Sequence, residues 1–172
     1  MAMKAILKGG KALMSKLEEI AQKMQGTVKV GFMNGATYAL DEGGELVAAV
    51  AAENEYGVPA KNQPPRPFFR RMIAKESPQW GNMIAKKAPY YRYDGQKIML
   101  AMGKELEEEL RQSIRDLIEP PLSPTTIRLR EEKYASKRKR KKQIFAKGSG
   151  MGIEKPLIFT GKMIGSISSE VE

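Results

Sequence analysis

Glu105, Glu107, Glu108 and Glu109 form a tight carboxylate cluster. On a helix, members three or four apart share a face, and such pairs can hold a hard metal ion or shuttle protons. A di-metal site of that kind takes a second carboxylate-bearing helix with histidine partners. The chain has no histidine and no cysteine. That removes imidazole and thiolate metal ligands, Ser-His-Asp and Cys-His nucleophile pairs, and disulfides. The cluster is therefore expected to be a solvated helix face, with no metal, no cofactor and no enzyme activity.

A second set with chemical potential is the run Lys137, Arg138, Lys139, Arg140, Lys141 and Lys142. Consecutive cations can neutralise phosphates and release their counterions. No aromatic is interleaved in the run, so sequence-specific readout of nucleic acid is not expected. Eight basic residues and no acidic one lie between Lys133 and Lys147, leaving +2 of the total net charge of +10 for the rest of the chain. The basicity is that of a local arm, expected over about residues 133–152. Tyr90-Tyr91-Arg92-Tyr93 could stack on bases, but is expected to pack on the body as an amphipathic loop.

The most distinctive stretch carries no catalytic chemistry. It runs from Glu53-Asn54-Glu55-Tyr56-Gly57 to Pro64-Pro65-Arg66-Pro67-Phe68-Phe69-Arg70-Arg71. Large apolar side chains, guanidinium groups and a proline-stiffened backbone suit an assembly contact. The competing reading is a turn into a helix whose phenylalanines enter the core.

These residues need elements to position them. Leu13, Leu17, Ile20 and Met24 recur at helical spacing between Gly9-Gly10 and Gly26. Val28, Val30 and Phe32 alternate as a strand does, before an Asn34-Gly35 turn. Leu46, Val47, Val50 and Ala51 mark a second helix, with Gly57 in the position of its terminal glycine. Val58 to Pro67 reads as an ordered extended loop, Pro67 as the first residue of the next helix, and Pro78 as its interruption. Asp94 is the expected N-cap of the longest helix, whose face is Met102, Leu106, Leu110, Ile114 and Leu117, with Glu107, Glu108 and Arg111 mostly off it. Pro120-Pro121 stop it, and Ser123-Pro124 open a short helix. Thr160-Gly161 start a last helix, and Ile167 and Val171 share a face of a closing strand. The expected fold is α+β: a small antiparallel or mixed sheet packed with several helices, one of them long, plus an extended basic arm, all in a single structural domain over residues 1–172. No run of about 18 apolar residues is present, so no membrane span is expected.

Four pieces occur in one order: Asn54-Glu55-Tyr56-Gly57, Pro65-Arg66-Pro67-Phe68-Phe69, Leu122-Ser123-Pro124-Thr125-Thr126, and Lys155-Pro156-Leu157-Ile158-Phe159-Thr160-Gly161 with Ser166-Ile167 after it. In this the chain resembles the tail-completion or neck (head–tail joining) proteins of tailed bacteriophages, including the Mu-like virion morphogenesis group. The resemblance spans about Val47 to Val171. It implies a non-enzymatic structural protein of the virion, made in the host cytoplasm. It would act as a homo-oligomeric ring, a hexamer ahead of a dodecamer, against other neck, adaptor and tail-tube proteins. Tyr56-Gly57 and Arg66 to Phe69 match the family's first motif, and Pro156 to Gly161 its last. The interface candidates are Tyr56, Gly57, Arg66, Pro67, Phe68, Phe69, Arg70, Pro156, Leu157, Thr160 and Gly161. The family's acidic residue before Thr-Gly is Phe159 here. Non-specific contact of the arm with DNA is a further expectation, and a tail terminator, a head–tail adaptor or a nucleic-acid-binding accessory protein are the alternatives.

Overall fold

A computed structural model describes residues 10–33, 35–40, 43–140, 155–158 and 160–172, with side chains left aside over 134–140. The fold is α+β, mostly helical with one two-stranded antiparallel sheet. In chain order the elements are α1 (Gly10–Lys23), β1 (Val28–Gly31), α2 (Val47–Tyr56), α3 (Phe68–Tyr90), α4 (Gly95–Asp116), α5 (Pro124–Arg140), α6 (Lys162–Gly165) and β2 (Ser168–Val171).

Helix α4 is the spine. Asp94 caps it as expected, its side chain accepting from the Lys97 amide at 3.1 Å. Ile98, Met102, Leu106, Leu110 and Ile114 form its buried face, and Leu117 continues it just past the last turn. Each such side chain stabilises the fold by about 1.5–3 kcal/mol relative to exposure. One side of α4 packs on α3 and another on the sheet. The sheet can approach because Gly103 has no side chain: a Cβ there would sit 2.7 Å from Ser169 Oγ and 3.2 Å from Val28 Cγ2. Strand register pairs Val28 with Val171 and Gly31 with Ser168. Bonds between Thr27 and Glu172 extend the ladder.

The main core gathers Phe68 and Met72 of α3, Val47 and Ala51 of α2, the C-terminal half of α4, and Leu157, Met163 and Ile167. A smaller cluster of Ala88, Ile98 and Met102 sits toward the start of α4. Trp80 packs against both.

Several expectations need correction. Pro78 does not interrupt α3, which runs through it for 23 residues and slightly exceeds the 22 of α4. Pro78 and Ala74 both face solvent, so the carbonyl that loses its amide partner can be hydrated. Pro67 is the residue before α3, not its first. The 58–67 segment is not simply extended: Pro59–Lys61 forms a 3₁₀ turn closed by a Val58–Gln63 bridge. Helix α4 ends at Asp116, ahead of the prolines. The helix opened by Ser123-Pro124 is not short but 17 residues, so Lys137 to Arg140 lie on a helix and not in an extended arm. The first residues of the expected 133–152 arm, to 140, lie on α5, whereas Lys141, Lys142 and the rest to 152 fall outside the described residues, as does Phe159.

Candidate assembly site

Hydrogen bonds join the first two motif pieces directly; Arg66 then reaches the residues just before the third piece, and Arg130 of α5, past the third, reaches the start of the fourth. The first link lies between α2 and α3. Helix α3 begins without a side-chain cap, because Pro67 has none to offer. Its first amides need an acceptor, and Glu55 of α2 supplies one. Glu55 is buried, and its carboxylate accepts from the Phe69 amide at 2.9 Å and the Arg70 amide at 3.1 Å. An anion at that end also matches the positive pole of the helix. Arg70 then folds back, Nε donating to Glu55 Oε1 at 2.8 Å and Nη2 to the Glu55 carbonyl at 3.0 Å. Its guanidinium lies 5.1 Å from the centre of the Tyr56 ring.

Gly57 ends α2 at φ 76°, where a Cβ would stand 2.7 Å from Pro65 N. That close approach lets the chain reverse, and the Arg66 amide donates to the Asn54 carbonyl at 2.7 Å.

Arg66 makes the second link. It is buried, and it donates to the carbonyls of Pro120 at 3.3 Å and Pro121 at 3.4 Å, just before the Ser123 cap of α5. Burial pushes its guanidinium below the ordinary arginine value. Arg130 of α5 makes the third link, donating to the carbonyls of Lys155 at 2.7 Å and Pro156 at 2.9 Å. Burial lowers its value too, with the nearby Arg66 charge adding to the effect. A cleft of ≈ 260 Å³ lies between the first and fourth pieces, lined by Asn54, Arg130, Pro156, Leu157 and Thr160 among others.

The interface candidates divide into two groups. Phe68 is 1% exposed, and Arg66, Pro156 and Leu157 are also buried within the subunit. These four cannot present contact surface themselves; they hold the surface up from beneath. Tyr56 is 68% exposed. Arg70, Thr160 and Gly161 are exposed, and Gly57, Pro67 and Phe69 are half-buried. Tyr56, Phe69 and Ile73 wall a shallow groove of ≈ 410 Å³ whose lip carries Ala48 and Ala52. Gly161 precedes α6 at φ 71°, and Thr160 Oγ1 accepts from the Lys162 amide at 3.3 Å.

The carboxylate cluster is not a solvated face throughout. Glu107 is buried. It accepts from Ser169 Oγ at 2.6 Å, Lys104 at 2.9 Å and Arg111 at 3.0 Å, tying α4 to β2. Burial opposes its charge, but those bonds outweigh burial and hold the carboxyl at about 2. Among the described residues no group of three or more acidic side chains is placed to hold a metal ion. The tyrosine run packs only in part: Tyr91 enters the smaller cluster while Tyr90 is 81% exposed.

Sequence reading missed Glu55, Arg130 and Gly103. Glu55 had a signal, since a helix start at Pro67-Phe68 carries no Ser, Thr, Asp or Asn to cap it. Arg130 and Gly103 act across long sequence separations and leave no local pattern. No family model, curated protein or solved structure gives a match to this chain.

Proposed function

We propose that this chain is a structural protein of a tailed-phage virion, forming a ring at the head–tail junction that completes the tail or joins it to the head. The observation that carries the reading is the hydrogen-bonded junction of the first two motif pieces, with Arg66 reaching the residues just before the third and Arg130 of α5 the start of the fourth. Residues from Asn54 to Pro156 are tied together through Glu55, Arg66 and Arg130. A unit so built keeps Tyr56, Phe69 and Arg70 in a fixed pose at the surface, which suits recognition by a neighbouring subunit or neck component. No part of this role calls on catalysis.

The test is electron microscopy of particles made without the protein. Filled heads and separate tails, or tails of abnormal length, are the expected outcome. Normal infectious virions overturn the proposal. The cation run at the end of α5 favours a second reading, a nucleic-acid-binding accessory protein. A salt-sensitive shift of duplex DNA by isolated subunits would support it.

A further inference from the structure

Helix α1 is left uncovered by the described residues. None of its 14 residues is buried, and Leu13, Met14 and Leu17 are 61%, 58% and 51% exposed. At 100° per residue these three and Ile20 fall on one side, with Lys16 and Lys23 along one edge. A helix of this length is marginal alone in water, so its stability rests on a partner for that stripe. The root of the helix is fixed: Met24 packs in the smaller cluster, and Gly95 at the start of α4 is crowded by the backbone of Lys23 and Gln25.

A groove between α3 and α4 offers the matching surface. It measures ≈ 600 Å³ and is lined by half-buried Met83 and by Met72, which is 4% exposed. Five carboxylates line it, Glu76, Glu105, Glu108, Glu109 and Asp116, against two cations, Arg71 and Lys75. Lys87 and Arg115 neutralise Glu105 and Glu108 in part. Glu109 has no ion pair within 4.0 Å among the described residues, only a bond from Trp80 Nε1 at 3.1 Å. Burial pushes its carboxyl up, and the neighbouring Glu76 and Glu105 add to this against the Trp80 bond. Helix α1 has the opposite sign at a net +1, with Lys11, Lys16 and Lys23 against Glu18 and Glu19, although Lys16 and Lys23 also reach Glu19 at 3.4 and 2.6 Å.

We propose that α1 of one copy of this chain docks in the α3–α4 groove of a second copy, its apolar stripe over half-buried Met83 and its lysines among the carboxylates. The same subunit's groove is a poor target. Helix α1 shows no buried residue to indicate folding back onto it. Donor helix and acceptor groove are different patches, so the contact is heterologous and repeats around a ring or along a filament. The inference rests on the assembly half of the proposed function and names the contact that would close it.

Absence of native cysteine makes the test specific. Chains carrying Leu17→Cys are mixed with chains carrying Gln112→Cys, an exposed groove position, and oxidised. The expected product is the mixed disulfide dimer, formed less at 1 M salt, where screening shortens to about 3 Å. Gln22→Cys, on the opposite side of α1, should not give it. Leu17→Glu should weaken association about thirtyfold, the equivalent of a ~2 kcal/mol hot spot, with helical circular dichroism of the body retained. Self-linked Leu17→Cys dimers alone, or equal linkage from Gln22→Cys, overturn the docking. So do rings that form without the mixed link, which would leave the ring reading standing. A chain monomeric at every concentration also overturns the docking, and particle microscopy then judges the ring reading by itself.

Discussion

Two adjacent phenylalanines show what one residue of helical rotation decides. Phe68 points into the core, 1% exposed, edge-on to Phe32 at 6.3 Å between ring centres, and its carbonyl accepts from Ser113 Oγ at 2.6 Å. Phe69 lies about 100° around the helix and walls the Tyr56 groove. Phe68→Ala should cost about 3–5 kcal/mol of stability in a denaturant titration. Phe69→Ala should cost less stability and instead weaken subunit association, read by sedimentation. The sequence could not divide the pair, because both residues are apolar and the helix start was uncertain by one residue. Glu107 poses a different problem, since a charged residue among charged residues predicts a wet surface. Its folded value of about 2 lies below the ordinary 4.5, so its charge stabilises the fold above the unfolded value. As pH falls from about 4.5 toward 2 that contribution, on the order of 2–3 kcal/mol, is lost. Acid titration of wild type against Glu107→Gln checks the sign. The variant should be less stable at neutral pH and show a shallower loss across that window.

At the scale of elements, periodicity and caps were enough where the signal was local. The apolar face of α4, its Asp94 cap, the Ser123 cap of α5 and the Gly57 stop of α2 all follow from neighbouring residues. Elements whose form depends on distant partners were not legible. Pro78 reads as a break because the chain alone does not reveal that this turn of α3 faces water. Gly103 reads as a weak point in a helix, yet β1 and β2 both pack closely on α4 there. Gly103→Ala tests that account. On an isolated helix the change would stabilise by about 1 kcal/mol. Here the new methyl meets Ser169 and Val28, and overpacking of about 1–3 kcal/mol should reverse the sign. The melting temperature should fall, and amide exchange in Val28–Gly31 and Ser168–Val171 should rise more than in α2. A rise in melting temperature would refute the close-packing account of this helix–sheet contact.

For the whole molecule, the governing feature is the separation of charge. Eight cations between Lys133 and Lys147 account for most of the net +10. Helix α5 carries the first of them, its first turn capped by Ser123 and its middle held by Arg130. The run is self-repelling, with eight like charges and no anion among them. An anionic surface would relieve that repulsion as it binds. We therefore expect Gln substitution of Lys139, Arg140, Lys141 and Lys142 to leave the core melting transition unchanged. The same variant should attach more weakly to its partners and lose salt sensitivity, because exposed charge contacts are screened over about 8–10 Å at ordinary salt. Head–tail joining measured at several salt concentrations reads this directly. If the partner is DNA, the slope of log affinity against log salt should shrink by about 0.9 for each phosphate contact removed. If it is acidic protein, duplex DNA binding should stay weak in wild type and variant alike while joining still falls. Joining unchanged at every salt concentration would make the segment a solvated run of charge, and under the proposed head–tail role would leave assembly to the motif cluster and α1.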